Sequence, residues 1–284
     1  MAPMNILVTG SRGFLGTELC KRLRADGHKV IGWDLAHSSE PDEYRVDINN
    51  WDEMRSPDVH TQNLELIIHL AAEFGRKNGE MFTHRMWTTA TIGTSNLIDI
   101  AKTVNCKLIF ASSSEAYGSL ADEHDVLKED LLEHLAPNFH NEYALSKWCG
   151  ERQVRMHLQN YLILRLFNIY GPTEPRHQYR SFVSRLCSGQ DMQLYNGVRS
   201  HLFITDFLDA FCLLMDKQGV YNIGSPYPMP NSEVAILAGR KLMLRTNEKN
   251  NVFRKQPDIS KLMSLGWQPK VSLEEGIRLC LESR

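Results

Sequence analysis

Two short segments carry the residues best suited to chemistry: residues 110–118 (FASSSEAYG) and residues 143–147 (YALSK). Tyr143 and Lys147 are four residues apart, so on a helix their side chains share one face. There the lysine ammonium can stabilise a phenolate and lower the tyrosine pKa from its usual value of about 10, which would make the pair a base. Taken alone, this spacing is more typical of surface neighbours. The serine-rich segment follows a predicted strand, and ligands of parallel α/β sheets bind at the carboxyl ends of strands, so we expect a substrate to meet a cofactor there.

A glycine-rich turn at residues 9–16 (TGSRGFLG) is the second candidate site. Its three glycines allow a tight turn, a close approach of the backbone to a pyrophosphate, and close packing of the following helix on the strand. Glycine turns before helices are common, so the triplet alone is weak evidence. Asp34 ends the next apolar run, where a carboxylate would accept hydrogen bonds from the ribose hydroxyls of adenosine. Together these features predict dinucleotide binding, with a solvated residue at a strand end as the alternative for Asp34.

Asp47 is a candidate for the adenine pocket, although a single acidic residue in a loop is usually just solvated. The full set predicted to bind the cofactor is Gly10, Arg12, Gly13, Phe14, Leu15, Gly16, Asp34, Asp47, Ile48, Leu70, Ala71, Ala72, Tyr143 and Lys147.

Asp34 and Arg12 favour different dinucleotides. The carboxylate of Asp34 would repel the 2′-phosphate of NADP, whereas the guanidinium of Arg12 could pair with it. Two negative charges in a partly dry pocket are harder to accommodate than an arginine that swings into water. We therefore expect NAD, with NADP as the alternative.

These residues need a parallel sheet to position them. Apolar runs rich in branched side chains predict strands, and apolar residues at helical spacing predict crossover helices between them, which indicates an α/β, doubly wound sheet. The predicted strands are Asn5–Thr9, Lys29–Asp34, Leu66–Leu70, Lys107–Ala111, Leu162–Leu166 and, later in the chain, Val220–Gly224. Helical spacing is formed by Phe14, Leu15, Leu19 and Leu23, by Leu97, Ile98 and Ala101, and over Phe207–Met215. From Gly171 onwards prolines and glycines interrupt this alternation, so we expect a second, smaller lobe to begin there.

Composition excludes several classes of function. The chain has 284 residues, 42% of them hydrophobic, which is typical of a folded protein. Its 32 basic and 34 acidic residues leave a net charge of −2, so it lacks the positive field that nucleic-acid binding requires. Its apolar stretches are far shorter than the roughly 20 residues of a membrane span, and no signal sequence is evident, so we expect a cytoplasmic location. The six cysteines include no CxxC pair, which predicts neither a disulfide framework nor a metal site.

In the order of its motifs the chain resembles the extended short-chain dehydrogenase/reductases that act on nucleotide-sugars, which include epimerases, 4,6-dehydratases and UDP-glucuronate decarboxylases. The motifs are TGSRGFLG, IIHLAAEFG (67–75), IGTSNL (92–97), FASSSEAYG, YALSK, LRLFNIYGP (164–172), VRSHLFITDFLDA (198–210), VYNIGS (220–225) and PDISKLMSLGWQP (257–269). The resemblance implies a Rossmann domain formed by residues 1–170, to which the chain returns at residues 201–224. It also implies a substrate-binding lobe formed by residues 171–200 and 225–284. It also implies a tightly held, recycled NAD and a homodimer formed through helices Met86–Ala101 and Tyr143–Leu158.

The resemblance further implies roles for individual residues. Ser113, Tyr143 and Lys147 match the catalytic set of the family, and Glu115 is a fourth candidate catalytic residue. The residues implied to contact the nucleotide-diphosphate sugar are Ser113, Ser114, Asn168, Arg199 and Arg254, with Arg245 as the alternative to Arg254.

The shared chemistry of the family is oxidation of the sugar at carbon 4, with Tyr143 taking the hydroxyl proton. Glu115 stands where the dehydratases and decarboxylases carry an acidic residue, so we expect it to act as a base and favour a dehydratase. A turn residue with a structural hydrogen bond is the alternative for Glu115. A 4-epimerase is the second hypothesis for the activity, and a decarboxylase is the third. A hypothesis from a different functional class is a dinucleotide sensor without catalytic activity, and the joint presence of Ser113, Tyr143 and Lys147 disfavours it.

Overall fold

The computed structural model describes residues 2–56, 63–73, 81–176, 180–189, 193–194, 197–240, 243–244 and 254–283. The strands in this part of the chain are β1 (Asn5–Thr9), β2 (Lys29–Asp34), β3 (Glu43–Arg45), β4 (Leu66–His69), β5 (Lys107–Ser113), β6 (Tyr161–Leu166), β7 (Ile169–Tyr170), β8 (Gln193–Leu194), β9 (Val198–Arg199), β10 (Leu202–Phe203), β11 (Gly219–Ile223), β12 (Met229–Pro230), β13 (Met243–Leu244) and β14 (Arg254–Lys255).

The helices are α1 (Phe14–Ala25), α2 (Trp51–Met54), α3 (Thr83–Thr88), α4 (Thr94–Val104), α5 (Leu120–Glu123), α6 (Leu131–His134), α7 (Glu142–His157), α8 (Phe182–Cys187), α9 (Ile204–Leu214), α10 (Asn231–Leu237), α11 (Ser260–Met263) and α12 (Leu273–Glu282). A π-helical turn (Thr89–Gly93) joins α3 to α4, and a 3₁₀ turn (Ser114–Tyr117) follows β5. No helix among the described residues is both long enough and apolar enough to cross a membrane.

A seven-stranded sheet with the order β11-β6-β5-β4-β1-β2-β3 organises the fold. Strand β1 pairs in parallel with both β2 and β4, and β4 pairs in parallel with β5. These strands are nearly continuous buried runs, as expected for a parallel sheet covered on both faces. The predicted doubly wound α/β class is therefore confirmed. The predicted bounds of β1 and β2 are also confirmed, whereas β5 runs two residues further than predicted, to Ser113.

The predicted helix over Met86–Ala101 contains a local change of geometry. The chain is helical through this region, but the π-helical turn Thr89–Gly93 separates α3 from α4. A side chain at Gly93 would lie 2.6 Å from Cδ1 of Ile48, so glycine allows the helix to approach this loop closely. Such turns hold one extra residue and are frequent at functional sites.

The chain divides into two compact units, which are described separately. The first consists of Met1–Ser112, Asn141–Leu164 and Met215–Val220. Its core is formed by apolar side chains from strands and helices, each of which contributes about 1.5–3 kcal/mol when fully buried. Core members include Leu7, Ile31, Trp33, Ile67, Leu97, Ile98, Leu108, Phe110, Val154 and Ile163.

The second unit consists of Ser113–His140, Arg165–Leu214 and Tyr221–Arg284. Its short strands include a three-stranded sheet of order β12-β9-β14, in which β14 runs parallel to β9 and β12 antiparallel to it. Burial of the guanidinium of Arg165 requires polar partners, and Nη1 donates hydrogen bonds to the hydroxyl of Tyr117 (3.1 Å) and the carbonyl of Glu129 (2.8 Å). The Tyr117 hydroxyl donates in turn to Oδ1 of Asn222 at 2.9 Å. These contacts fix the end of the 3₁₀ turn that follows β5.

Candidate functional site

The glycine-rich turn lies between β1 and α1 in the first unit. The backbone N–H of Gly10 donates to the Trp33 carbonyl at 2.7 Å, and that of Gly13 donates to the Gly10 carbonyl at 3.1 Å. Gly13 is the N-cap of α1 and provides no side-chain cap. The N-terminus of α1 therefore presents backbone N–H groups and the positive end of the helix dipole, which is the arrangement that binds a pyrophosphate.

The three glycines differ in what surrounds them. Gly10 has a φ of +73°, and a Cβ there would lie 2.8 Å from the backbone nitrogen of Ala71. A Cβ at Gly16 would lie 2.0 Å from the Gly10 carbonyl oxygen. At Gly13 the nearest atom would be that same oxygen, at 3.3 Å, with no other heavy atom nearby. Gly10 and Gly16 are thus required by the turn itself, whereas Gly13 leaves open space beside the helix N-terminus for a ligand.

Asp34 lies at the end of β2, beside this turn. Its two carboxylate oxygens accept hydrogen bonds from the backbone N–H groups of Arg12 and Ala36, both at 3.0 Å. The carboxylate is therefore oriented before any ligand binds. Arg12 is exposed, and Nη1 of its guanidinium donates to Oγ of Ser38 at 2.9 Å.

The other residues predicted at the cofactor site lie on neighbouring loops of the same unit. Asp47 accepts a hydrogen bond from the backbone N–H of Asn49 at 2.9 Å, while Ile48 is buried in the core. Leu70 and Ala71 follow β4 and are joined to Thr9 through their backbone N–H groups. The predicted set is completed by the half-buried side chains of Phe14 and Leu15 in the first turn of α1 and by the exposed Ala72.

Tyr143 and Lys147 lie on α7, whose N-terminus is capped by Asn141. The Lys147 nitrogen lies 5.9 Å from the centre of the Tyr143 ring and donates to the carbonyl of Ala111 at 2.9 Å. Burial lowers the pKa of Lys147 to about 8, and the carboxylate of Glu151 opposes this shift. The two side chains therefore share one face of α7, as their spacing of four residues predicts.

His69 is a residue that the sequence analysis did not identify. Its Nδ1 lies 2.9 Å from Oγ1 of Thr9, and its Nε2 lies 3.1 Å from Oγ1 of Thr94. Burial, together with the charge of Lys147, lowers the pKa of His69 to about 3, so its ring is neutral. His69 and Lys147 both line one small cavity. The position of His69 in the segment IIHLAA, at the end of β4, was the available signal.

In the second unit, Ser113 and Glu115 belong to the turn anchored by Tyr117. The Ser113 hydroxyl caps this turn by accepting the backbone N–H of Glu115 at 3.2 Å, and both side chains are half-buried. Ser114 is buried, and Asn168 is exposed with a φ of +40°. Asn168 donates through Nδ2 to the Ser200 carbonyl at 2.9 Å.

Glu115 forms an ion pair with Lys255, a second residue that the sequence analysis missed. Only 4% of Lys255 is exposed, and its place in β14 is directly opposite Arg199 in β9. Burial lowers the pKa of Lys255, and Glu115 opposes this effect. Burial also lowers the pKa of Arg199, with Glu115 and Asp122 in opposition. Two cations thus gather around one carboxylate, which makes this cluster suited to an anionic ligand.

The structure describes one of the two arginines predicted to make a second phosphate contact, Arg254. Arg254 is exposed, and its guanidinium donates to the side-chain oxygen of Gln256. Its neighbour Lys255 is the residue that joins Arg199 and Glu115. Arg245 lies outside the described residues.

Comparison with known proteins identifies the family. Residues 6–224 match the NAD dependent epimerase/dehydratase family. The chain belongs to this family. UDP-glucuronic acid decarboxylase 4 of Arabidopsis thaliana is 27% identical over 307 residues, covering 98% of this chain and 68% of that protein. The UDP-glucose 4-epimerase of Thermus thermophilus, solved in complex with NAD, is 25% identical with a TM-score of 0.85, covering 99% of this chain and 98% of that one. The UDP-glucose 4-epimerase of Thermotoga maritima, solved with UDP-glucose, is 27% identical with a TM-score of 0.84, again covering 99% and 98%.

Membership of the epimerase/dehydratase family confirms the resemblance to the extended short-chain dehydrogenase/reductases and the expectation that the cofactor is NAD. The first unit fits this cofactor, with its uncapped helix N-terminus, the space beside Gly13 and the oriented carboxylate of Asp34. The protein is therefore one of the NAD-dependent enzymes whose relatives act on nucleotide-sugars.

Proposed function

We propose that this family member oxidises a nucleotide-diphosphate sugar at carbon 4, and that the sugar is a uronic acid which then loses its carboxylate as carbon dioxide. The observation that carries the second part is the buried Lys255, paired with Glu115 and opposite Arg199. The relatives named UDP-glucuronic acid decarboxylases support it.

The first step of the proposal is assigned to Tyr143. Its phenolate takes the proton of the 4-hydroxyl, and Lys147 stabilises the phenolate by its charge. When bound, NAD would supply the redox chemistry for the oxidation at carbon 4 and for its reversal at the end of the cycle. At that point Tyr143 also returns its proton to the oxygen, so neither group is consumed.

The second step needs an anion site and a proton donor. A carboxylate that is β to a ketone, as carbon 6 of a uronic acid is to a ketone at carbon 4, loses carbon dioxide when the bond between carbons 5 and 6 breaks and its electron pair moves into an enolate. The enolate then takes a proton at carbon 5, and we assign the Lys255 ammonium as its source. Burial makes this ammonium a stronger acid than a solvated one. The net reaction consumes one proton, which Lys255 regains from solvent.

A dehydratase, the reading that the sequence favours, is the second candidate. Elimination of water requires a base to remove the proton of carbon 5, and Glu115 is the carboxylate assigned to that role. Glu115 accepts a hydrogen bond from Lys255, and pairing with a cation weakens a carboxylate as a base. Decarboxylation needs no such base. A 4-epimerase, the third candidate, needs neither Lys255 nor Glu115 for its chemistry.

Products formed in deuterated water test the proposal. The protein is incubated with NAD and a panel that includes UDP-glucuronic acid and UDP-glucose, and products are identified by mass spectrometry and NMR. We expect the uronic acid to lose carbon dioxide and to gain one deuterium at carbon 5. Loss of water would indicate the dehydratase, and an isomer of unchanged mass without deuterium would indicate the epimerase. Tyr143→Phe is the matched control, because it should remove every one of these conversions.

A further inference from the structure

Helix α7 carries a buried carboxylate, Glu151, four residues beyond Lys147. Tyr143, Lys147 and Glu151 recur at intervals of four residues and therefore lie along one face of the helix. Glu151 is almost completely buried, with 2% of the residue exposed. The hydroxyl of Ser112, at the end of β5, donates a hydrogen bond to its carboxylate.

A buried carboxylate is costly unless it has both hydrogen-bond donors and a counter-charge. Ser112 provides the donor, and Lys147 is the cation one helical turn away. The lysine nitrogen in turn donates to the carbonyl of Ala111, the residue next to Ser112. The lysine and the glutamate are thus both tied to adjacent residues of β5, so each side chain has a defined orientation.

We propose that Glu151 is a positioning residue that keeps the Lys147 ammonium charged and directed at the Ala111 carbonyl. The consequence for turnover rests on the function proposed above, in which charged Lys147 stabilises the phenolate of Tyr143. Glu151 acts through Lys147 and touches no reacting atom in this scheme.

The charged and titratable groups around Lys147 are few in the part of the chain that the structure describes. On its own helix they are Tyr143 and Glu151. From β4 the neutral ring of His69 faces it, and Glu73, which lines the same cavity, is paired with Arg85. Glu151 is the carboxylate that opposes the loss of the lysine proton.

Removal of this carboxylate should change the pH dependence of the enzyme in a defined direction. Turnover is expected to fall as pH rises through the pKa of Lys147, which burial places at about 8, because the neutral amine no longer stabilises the phenolate. In Glu151→Gln the pKa of Lys147 should fall by roughly one to two units, since an opposite charge within a few ångströms shifts a pKa by that amount. The alkaline limb of the profile should move to lower pH by the same amount.

The experiment compares three variants in the NAD-saturated protein. Glu151→Gln keeps the shape of the side chain and removes its charge. Glu142→Gln is the matched control, because it removes the same charge from the exposed start of the same helix. Ser112→Ala keeps the carboxylate of Glu151 and removes its hydrogen-bond donor. We expect the alkaline limb to shift strongly in the first variant only, and turnover of Glu151→Gln to recover at acid pH.

A measurement without substrate separates this inference from the proposed function. In protein labelled with ¹³C-lysine, the Lys147 resonance is assigned by its loss in Lys147→Arg and titrated in each variant by NMR. An unchanged Lys147 pKa in folded Glu151→Gln would overturn the inference, as would equal shifts in Glu142→Gln. A lowered Lys147 pKa with an unmoved rate profile would support the inference and instead refute the catalytic role given to Lys147. If Glu151→Gln does not fold, Glu151→Asp, which retains the charge one methylene further away, should show a smaller shift in the same direction.

Discussion

The three glycines of the turn between β1 and α1 should respond to alanine in two different ways. In Gly16→Ala the new methyl carbon would lie 2.0 Å from the Gly10 carbonyl oxygen, whereas such contacts are not found below 3.0 Å. The start of α1 would therefore have to move by about 1 Å. Gly13→Ala places its methyl group 3.3 Å from the same oxygen, and the backbone of Gly13 (φ −68°, ψ 170°) is available to alanine. We expect Gly16→Ala to damage the fold and Gly13→Ala to damage cofactor binding.

The magnitudes follow from these contacts. Overpacking of this kind costs about 1–3 kcal/mol, and the displacement of a helix start places Gly16→Ala at the upper end of that range. Gly10→Ala should cost a similar amount, because it combines a φ of +73° with a contact of 2.8 Å to the backbone of Ala71. Gly13→Ala should cost about 1 kcal/mol or less, as a change at a helix N-cap. The methyl group of Gly13→Ala would occupy the space needed by the pyrophosphate, and the hydrogen bonds lost to this charged group are worth about 1.5–3 kcal/mol. The Kd of the Gly13→Ala protein for NAD should therefore rise roughly tenfold to a hundredfold.

Two measurements on the same proteins test this reasoning. Denaturant unfolding without cofactor gives the free energy of unfolding, and calorimetric titration gives the Kd for NAD. The expected pattern is a stable Gly13→Ala protein with weak binding and a destabilised Gly16→Ala protein. The reasoning would be refuted if Gly13→Ala bound NAD as tightly as the original protein, or if its stability fell as far as that of Gly16→Ala.

Substitutions at three further positions test the assigned roles. Tyr143→Phe should leave unfolding and NAD binding unchanged but lower turnover by roughly a hundredfold or more, as measured by steady-state kinetics; near-normal turnover would exclude this tyrosine as the base. Asp34→Ala should narrow the difference between the Kd values for NAD and NADP, because it removes the negative charge beside the ribose; an unchanged ratio by calorimetry would count against this role. Lys255→Met should lower the rate of decarboxylation of a uronic acid by roughly a hundredfold, as measured by carbon dioxide release, whereas Lys255→Arg should retain substrate binding. Full activity of the Lys255→Met protein would show that Lys255 is not the proton donor.

The sequence was sufficient for the features that depend on neighbouring residues. Buried strands such as β1 and β2 were correctly bounded, because continuous apolar runs between turns are typical of a parallel sheet. The glycine spacing at residues 9–16 indicated a turn between a strand and a helix, and the structure has this turn between β1 and α1, with Asp34 beside it at the end of β2. The shared helix face of Tyr143 and Lys147 followed from a spacing of four residues. In each case the geometry is set by a local period of the chain, so it can be derived without tertiary contacts.

The tertiary structure decided which distant side chains meet. Residues 254 and 199 lie far apart in the chain, and the register of β14 against β9 places Lys255, and not Arg254, opposite Arg199. Because side chains alternate along a strand, Arg254 is exposed and Lys255 is buried, a difference that a shift of one residue in the register would reverse. For this reason the sequence could not predict the ion pair between Glu115 and Lys255. It also could not predict the hydrogen bond from Ser112 to Glu151. Pattern and spacing predict which face a residue occupies, but only the packing of one element on another determines the charge that it meets there.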